Sequence, residues 1–227
     1  MKKTILIIIL AITVLVLGFF GWRVFNFYRL IKSGDASSSA VHFQKSYLKF
    51  SSKVAPALEK LISPDSPRLG SAAAEINIVE FADFSCEFSA EAFPAIRELA
   101  AKYPDKVSLV FRFFPGHSEN VNAKNAALAS FCAQDQGKFW AYYDKLFQNV
   151  GKLELGDLNN YAAQVGLDTA VFDQCLTGKK HEKQFEKDMA DGIALGVQGT
   201  PTFFVNGEKV EGAIPLEAWE RVLGLKL

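Results

Sequence analysis

Cys86 lies in Phe84-Ser85-Cys86-Glu87-Phe88-Ser89, where an apolar run of strand type gives way to helical spacing. A helix N-terminus presents unpaired N–H groups and a partial positive charge. A thiolate placed there is stabilised, and the thiolate is the species that attacks a disulfide. Glu87 adds negative charge beside the sulfur, so an enhanced but not extreme reactivity is expected. Position alone fits a buried, inert cysteine at a strand–helix junction just as well.

Two further places bear on that choice. Gly199-Thr200-Pro201-Thr202 precedes a short apolar strand. A proline at a strand's start donates nothing to the ladder, and X–Pro bonds adopt the cis form far more readily than other peptides. A cis Pro201 beside the thiol would turn the Thr200 backbone groups toward an extended substrate. By itself, the Thr-Pro pair is equally an ordinary loop. Glu80 stands in the apolar run Ile76-Asn77-Ile78-Val79-Glu80-Phe81. It is either a buried carboxyl with a raised pKa or a solvent-facing residue of an edge strand.

The three cysteines, Cys86, Cys132 and Cys175, are an odd number. Outside the cytosol that pattern points to one bonded pair and one leftover thiol. His42, His117 and His181 are scattered and show no metal-ligand spacing; His117 reads as a surface or capping residue. Neither a metal nor a cofactor is expected. Phe139, Trp140, Tyr142 and Tyr143 read as helix packing, with some of them able to line a groove. Lys+Arg and Asp+Glu are both 25, so nothing in the charge balance points to nucleic acid.

The elements that must position these residues follow from periodicity and punctuation. Strands are expected at 76–81 and 107–114. Between them, 86–103 has the spacing of a helix, which Pro94 should kink. Strand, helix, strand makes a βαβ unit with a right-handed crossover. Helices follow near 120–133, 136–149, 155–165, 169–177 and 181–195. The hairpin 202–205 and 209–211 turns at Asn206-Gly207, and 215–223 closes the chain as a helix.

Several segments in order resemble the DsbA-like thiol–disulfide oxidoreductases: Ile78 to Cys86, Phe114-Pro115, Gln136 to Trp140, Phe172 to Leu176, and Gly199 to Val205. The resemblance runs from about Gly70 to the C-terminus. It implies an α/β, thioredoxin-like fold with a helical insertion at about 118–195. It further implies that Cys86 is the nucleophile, Pro201 a cis proline next to Thr200, and Glu80 a buried acid. Some relatives pair cysteines at the places of Cys132 and Cys175, which suggests a structural disulfide here; two separate buried thiols are the alternative. Such a bridge would be worth ~4 kcal/mol in the chain-entropy account. The family pattern is Cys-x-x-Cys, whereas this chain has Ser89 in the fourth place. A lone Cys86 forms mixed disulfides but no internal one, which puts dithiol oxidase activity in doubt and leaves the family role of Glu80 without its obvious purpose.

Upstream, Lys2 and Lys3 precede an uncharged run from Thr4 to Trp22, long enough to cross the ~30 Å hydrocarbon core. Residues 1–23 are therefore expected to be an uncleaved transmembrane anchor, with a cleaved signal peptide as the alternative. A polar linker at 33–39 and a stalk helix over 41–62 fall within 24–69, and the folded domain is expected over 70–227. The basic residues flanking the anchor give a weak orientation signal. Disulfide chemistry would place the domain on the extracytoplasmic side of the cell membrane. The partners expected are client protein thiols or disulfides and the membrane. Three readings follow: a single-cysteine oxidoreductase acting as an isomerase or monothiol reductase, a non-catalytic peptide-binding or chaperone module, and glutathione-dependent chemistry on a small molecule.

Overall fold

The computed structural model describes residues 61–63, 65–115 and 120–225. They belong to one of two compact units, 48–227; the other, 1–47, lies outside the described residues. The expected anchor, the linker, His42, His117 and nearly all of the stalk helix also lie outside them. Among the described residues no helix is long and apolar enough to cross a membrane.

Two strands, β2 (Ile76–Ala82) and β3 (Val107–Phe113), pair in parallel at the centre of a five-stranded sheet. Both are buried almost throughout, which explains why they read as continuous apolar runs rather than alternating ones. Helix α1 (Glu87–Lys102) is the crossover between them and runs through Pro94 as a single element. β1 (Arg68–Leu69) pairs antiparallel with β3. β4 (Thr202–Val205) pairs antiparallel with β2, and β5 (Glu208–Glu211) closes the far edge. The β4–β5 turn uses Asn206 and Gly207, both at positive φ, as the expected hairpin requires.

Five helices separate β3 from β4: α2 (Val121–Asp135), α3 (Phe139–Gln148), α4 (Leu155–Gln164), α5 (Thr169–Thr177) and α6 (Glu182–Ala194). At α2 and α5 the N-cap side chain accepts from amides of the first turn. The Asn120 carboxamide accepts from the Asn122 and Ala123 amides, and the Asp168 carboxylate accepts from Ala170 and Val171. Helix α7 (Leu216–Val222) ends the described chain, with Trp219 edge-on to Phe203 of β4.

Side chains alternate across the sheet, so Ile78, Glu80 and Ala82 share a face with Leu109, Phe111 and Phe113. That face packs with Phe84 and the insertion's aromatic residues, among them Phe139, Tyr143 and Phe147. The opposite face carries Val79, Phe81 and Val110 and packs with Leu61, Val197 and Phe204. The folded unit thus reaches upstream of Gly70: Leu61 is fully buried, and β1 extends the sheet.

Arg112, on the second face, is wholly buried. Its guanidinium donates to Asp188 of α6 at 2.5 Å, to Asp191 at 2.5 Å and to the Leu61 carbonyl at 2.7 Å. Asp188 also accepts from the Phe113 amide at 3.0 Å. Burial pushes the Asp188 carboxyl up to about 6 against the pull of Arg112. The last turn of α6 sits close because residue 192 is glycine; a Cβ there would stand 2.4 Å from the Phe114 ring. Arg112 and Gly192 together fix the helix from which the chain enters the Thr200 loop.

Candidate functional site

The turn between β2 and α1 is organised by Asp83. Its carboxylate accepts from the Ser85 amide at 2.7 Å and the Ser85 hydroxyl at 2.8 Å, an Asx-type turn. The Asp83 carbonyl accepts from the Cys86 amide at 3.1 Å. This holds Cys86 as the N-cap residue of α1 in extended geometry, with its carbonyl accepting from Ala90. The free thiol of Cys86 is half-buried. Cys86 as a residue is therefore neither sealed in the core nor fully in solvent.

The Cys86 thiol donates to the Thr200 carbonyl at 3.3 Å, and the Thr200–Pro201 peptide bond is cis. The structure so brings together Cys86, Thr200 and Pro201. Thr202, the first residue of β4, ties the loop down through its hydroxyl, which donates to the Gly199 carbonyl at 2.7 Å.

Ser89 is completely buried, and its hydroxyl accepts from the Asp83 amide at 3.5 Å. It supports the turn beneath Cys86. Phe88, in the first turn of α1 and two residues on from Cys86, is a large apolar side chain that is 66% exposed.

Glu80 lies in the central strand and is completely buried, so the edge-strand alternative does not hold. Its Oε2 accepts from the Tyr143 hydroxyl at 2.8 Å, while Oε1 has no hydrogen-bond partner among the described residues. Burial raises the Glu80 carboxyl to about 7, opposed by the Tyr143 hydrogen bond and the nearby Arg97 charge. Arg97 is held by a two-pronged pair with Asp144 at 2.6 and 2.8 Å and lies over the Trp140 ring at 5.3 Å. Tyr143 and the Arg97–Asp144 pair escaped the sequence reading. Tyr143 lay hidden in an aromatic cluster that reads as packing, and an ion pair between α1 and α3 has no local signature.

Cys132 and Cys175 form a disulfide joining α2 to α5, with Cα atoms 5.9 Å apart. The bridge belongs to the insertion's core.

The sequence profile of the thioredoxin family matches residues 62–224. Among solved structures, a thioredoxin-like oxidoreductase from Silicibacter pomeroyi DSS-3 superposes with a TM-score of 0.65 at 27% identity, over 73% of this chain and 94% of that one. The thiol-disulfide exchange protein alpha-DsbA2 from Wolbachia pipientis superposes with a TM-score of 0.68 at 20% identity, over 77% and 95%. Among curated proteins, the Na(+)/H(+) antiporter NhaA 1 of Salinispora arenicola is 34% identical over 158 residues, 69% of this chain and 24% of the antiporter. The chain thus spans about a quarter of the length of the curated relatives it matches. By the profile match, the strand order and the cis proline facing a cysteine at the start of a helix, the chain belongs to the thioredoxin family, with the DsbA-like form of its fold.

Proposed function

We propose that this protein is a thiol–disulfide oxidoreductase that works through one cysteine, Cys86, by way of mixed disulfides. The observation that carries the reading is the half-buried Cys86 sulfur 3.3 Å from the Thr200 carbonyl, with a buried serine where a second cysteine would resolve the adduct. The Cys86 thiolate attacks a client disulfide, one client sulfur leaves as a thiolate, and a mixed disulfide remains. Attack on the client sulfur of that bond, by a second client thiol or by a small external thiol, returns Cys86 to its thiolate; the external thiol is left joined to the client, and a second small thiol removes it as a small-molecule disulfide. The first route rearranges the client's disulfides with no net electron transfer; the second reduces the client by two electrons taken from two thiols. An extended client strand would pair with the backbone at Thr200, and Phe88 offers it an apolar contact.

The anchor over residues 1–23 would hold the domain at the cell membrane, on its extracytoplasmic side. Disulfides form and persist in such oxidising places, and the Cys132–Cys175 bridge fits one.

The test is alkylation at neutral pH followed by trapping. Cys86 should react with iodoacetamide faster than a free thiol peptide, and non-reduced membranes should yield Cys86-linked clients by mass spectrometry. A thiol no faster than the peptide, with no adducts, overturns the reading. The buried Ser89 also fits a second role, a peptide-holding module without turnover; client capture unchanged in Cys86→Ser would favour it.

A further inference from the structure

The Cys132–Cys175 bridge has two further metal-binding side chains against it. His181 is the N-cap residue of α6, and Asp135 is the last residue of α2. The ligand atoms of Cys132, Cys175 and His181 all lie within 4.8 Å of one another. Asp135 Oδ2 is 3.8 Å from Cys175 Sγ and 2.9 Å from His181 Nε2. Cys132 and Asp135 stand three residues apart on α2 and share a face. Asp135 and His181 also line an open cleft of about 510 Å³ with Phe131 and Lys180, which gives solvent access to this corner.

We propose that Cys132, Cys175, His181 and Asp135 form a zinc site that the disulfide keeps closed and that reduction of the bridge by a dithiol opens. Tetrahedral zinc takes sulfur at ~2.3 Å, imidazole nitrogen at ~2.0 Å and carboxylate oxygen at ~2.0 Å, so its ligand atoms stand roughly 3.3 to 3.8 Å apart. The Asp135–Cys175 separation already meets this, and the Asp135–His181 separation falls short by a few tenths of an ångström. The main change is in the two sulfurs, which must part to ~3.7 Å once their bond is broken. His181 Nε2 and Asp135 Oδ2 now share a proton; zinc takes its place, with the imidazole proton moving to Nδ1. Two thiolates and a carboxylate leave one negative charge over on the zinc centre. The Lys180 ammonium, 2.8 Å from Asp135 Oδ2, balances it.

The chemistry closes without a further reactant. The dithiol passes two electrons and two protons to the bridge and becomes a disulfide itself, leaving two protein thiols. Zinc binding releases both thiol protons, and oxidation of the thiolates by a disulfide expels the metal. Two sulfurs, one nitrogen and one oxygen suit zinc and not the hard cations calcium and magnesium. The four ligands show no metal-site spacing in sequence because three helices supply them.

The experiment uses the full chain in detergent carrying Cys86→Ser, so that no other thiol competes. It compares the oxidised form with one reduced by a phosphine that is then removed, and Zn2+ alone is the probe. The reduced form should take one equivalent of zinc against a chromophoric chelator, and the oxidised form none. Co2+ in place of zinc should give tetrahedral d–d bands with thiolate-to-cobalt charge transfer. His181→Ala and Asp135→Ala should each weaken zinc at least about tenfold. No zinc uptake by the reduced form, equal uptake by the oxidised form, or an octahedral cobalt spectrum overturns the site, as does unchanged affinity in His181→Ala. Should reduction melt the domain, zinc must restore its circular dichroism and chelator abolish it again; failure to do so also overturns the proposal.

Discussion

Cys86 and Thr200 are 114 residues apart in sequence, yet the sulfur of one rests 3.3 Å from the carbonyl oxygen of the other. The antiparallel pairing of β2 with β4 makes that meeting unavoidable. Phe81 lies opposite Thr202, so the end of one strand and the start of the other bring their adjoining loops together.

Replacing Ser89 with cysteine restores the spacing Cys-x-x-Cys at a site that is already buried at the base of the turn. Mixed disulfides at Cys86 should then be short-lived, and the variant should oxidise a reduced, unfolded protein faster than the parent. Adduct lifetime on non-reducing gels and regain of a disulfide-bonded enzyme's activity measure the two effects.

Phe88→Ala removes the exposed ring two residues on from Cys86. Capture of polypeptide clients should fall several-fold, while the rate of reaction with iodoacetamide, which needs no groove, should stay within about twofold. A parallel fall in both rates would place Phe88 in the support of Cys86 instead.

Glu80 makes stability depend on pH. Its carboxyl titrates at about 7 when folded against a usual value of 4.5. Between those values the folded chain holds a proton that the unfolded chain has lost. The contribution of the raised group is thus fully present below the unfolded value and fades as pH rises through 7. The span corresponds to about 3 kcal/mol at most. Urea unfolding at pH 5 and pH 8 should show this loss in the parent and little of it in Glu80→Gln, which keeps an acceptor for the Tyr143 hydroxyl.

Asp188→Ala leaves Arg112 with its largest buried partner gone and the Phe113 amide unpaired. Breaking one side of a buried pair costs about 3–5 kcal/mol, to be read from the urea midpoint. Because α6 leads into the Thr200 loop, the variant should also slow Cys86 alkylation at temperatures where it stays folded. The double change Arg112→Met with Asp188→Leu should cost less, since no charge is left stranded.

The Cys132→Ala, Cys175→Ala pair should lower stability by roughly 2–5 kcal/mol. The rate at which Cys86 alkylates in the folded state should not change, because the bridge joins α2 to α5 within the insertion.

The sequence by itself determined the succession of elements and the place of Cys86 where a strand gives way to a helix. Its strand and helix segments follow from apolar spacing and from Gly, Pro and Asn punctuation, all of which act within a few residues. The Cys-x-x-Ser departure is likewise local. Only the tertiary structure decided which polar groups face one another. Val107–Phe113 reads as an apolar run, and nothing in it says that Arg112 turns to Asp188, 76 residues on. The run around Glu80 fits a central and an edge strand alike. Pairing with β3 on one side and β4 on the other buried it, and α3 brought the Tyr143 hydroxyl to it. Hydrophobic periodicity records how one element meets the core as a whole, whereas a buried charge or hydroxyl needs one particular partner. That partner is chosen by the register and packing of elements far apart in the chain.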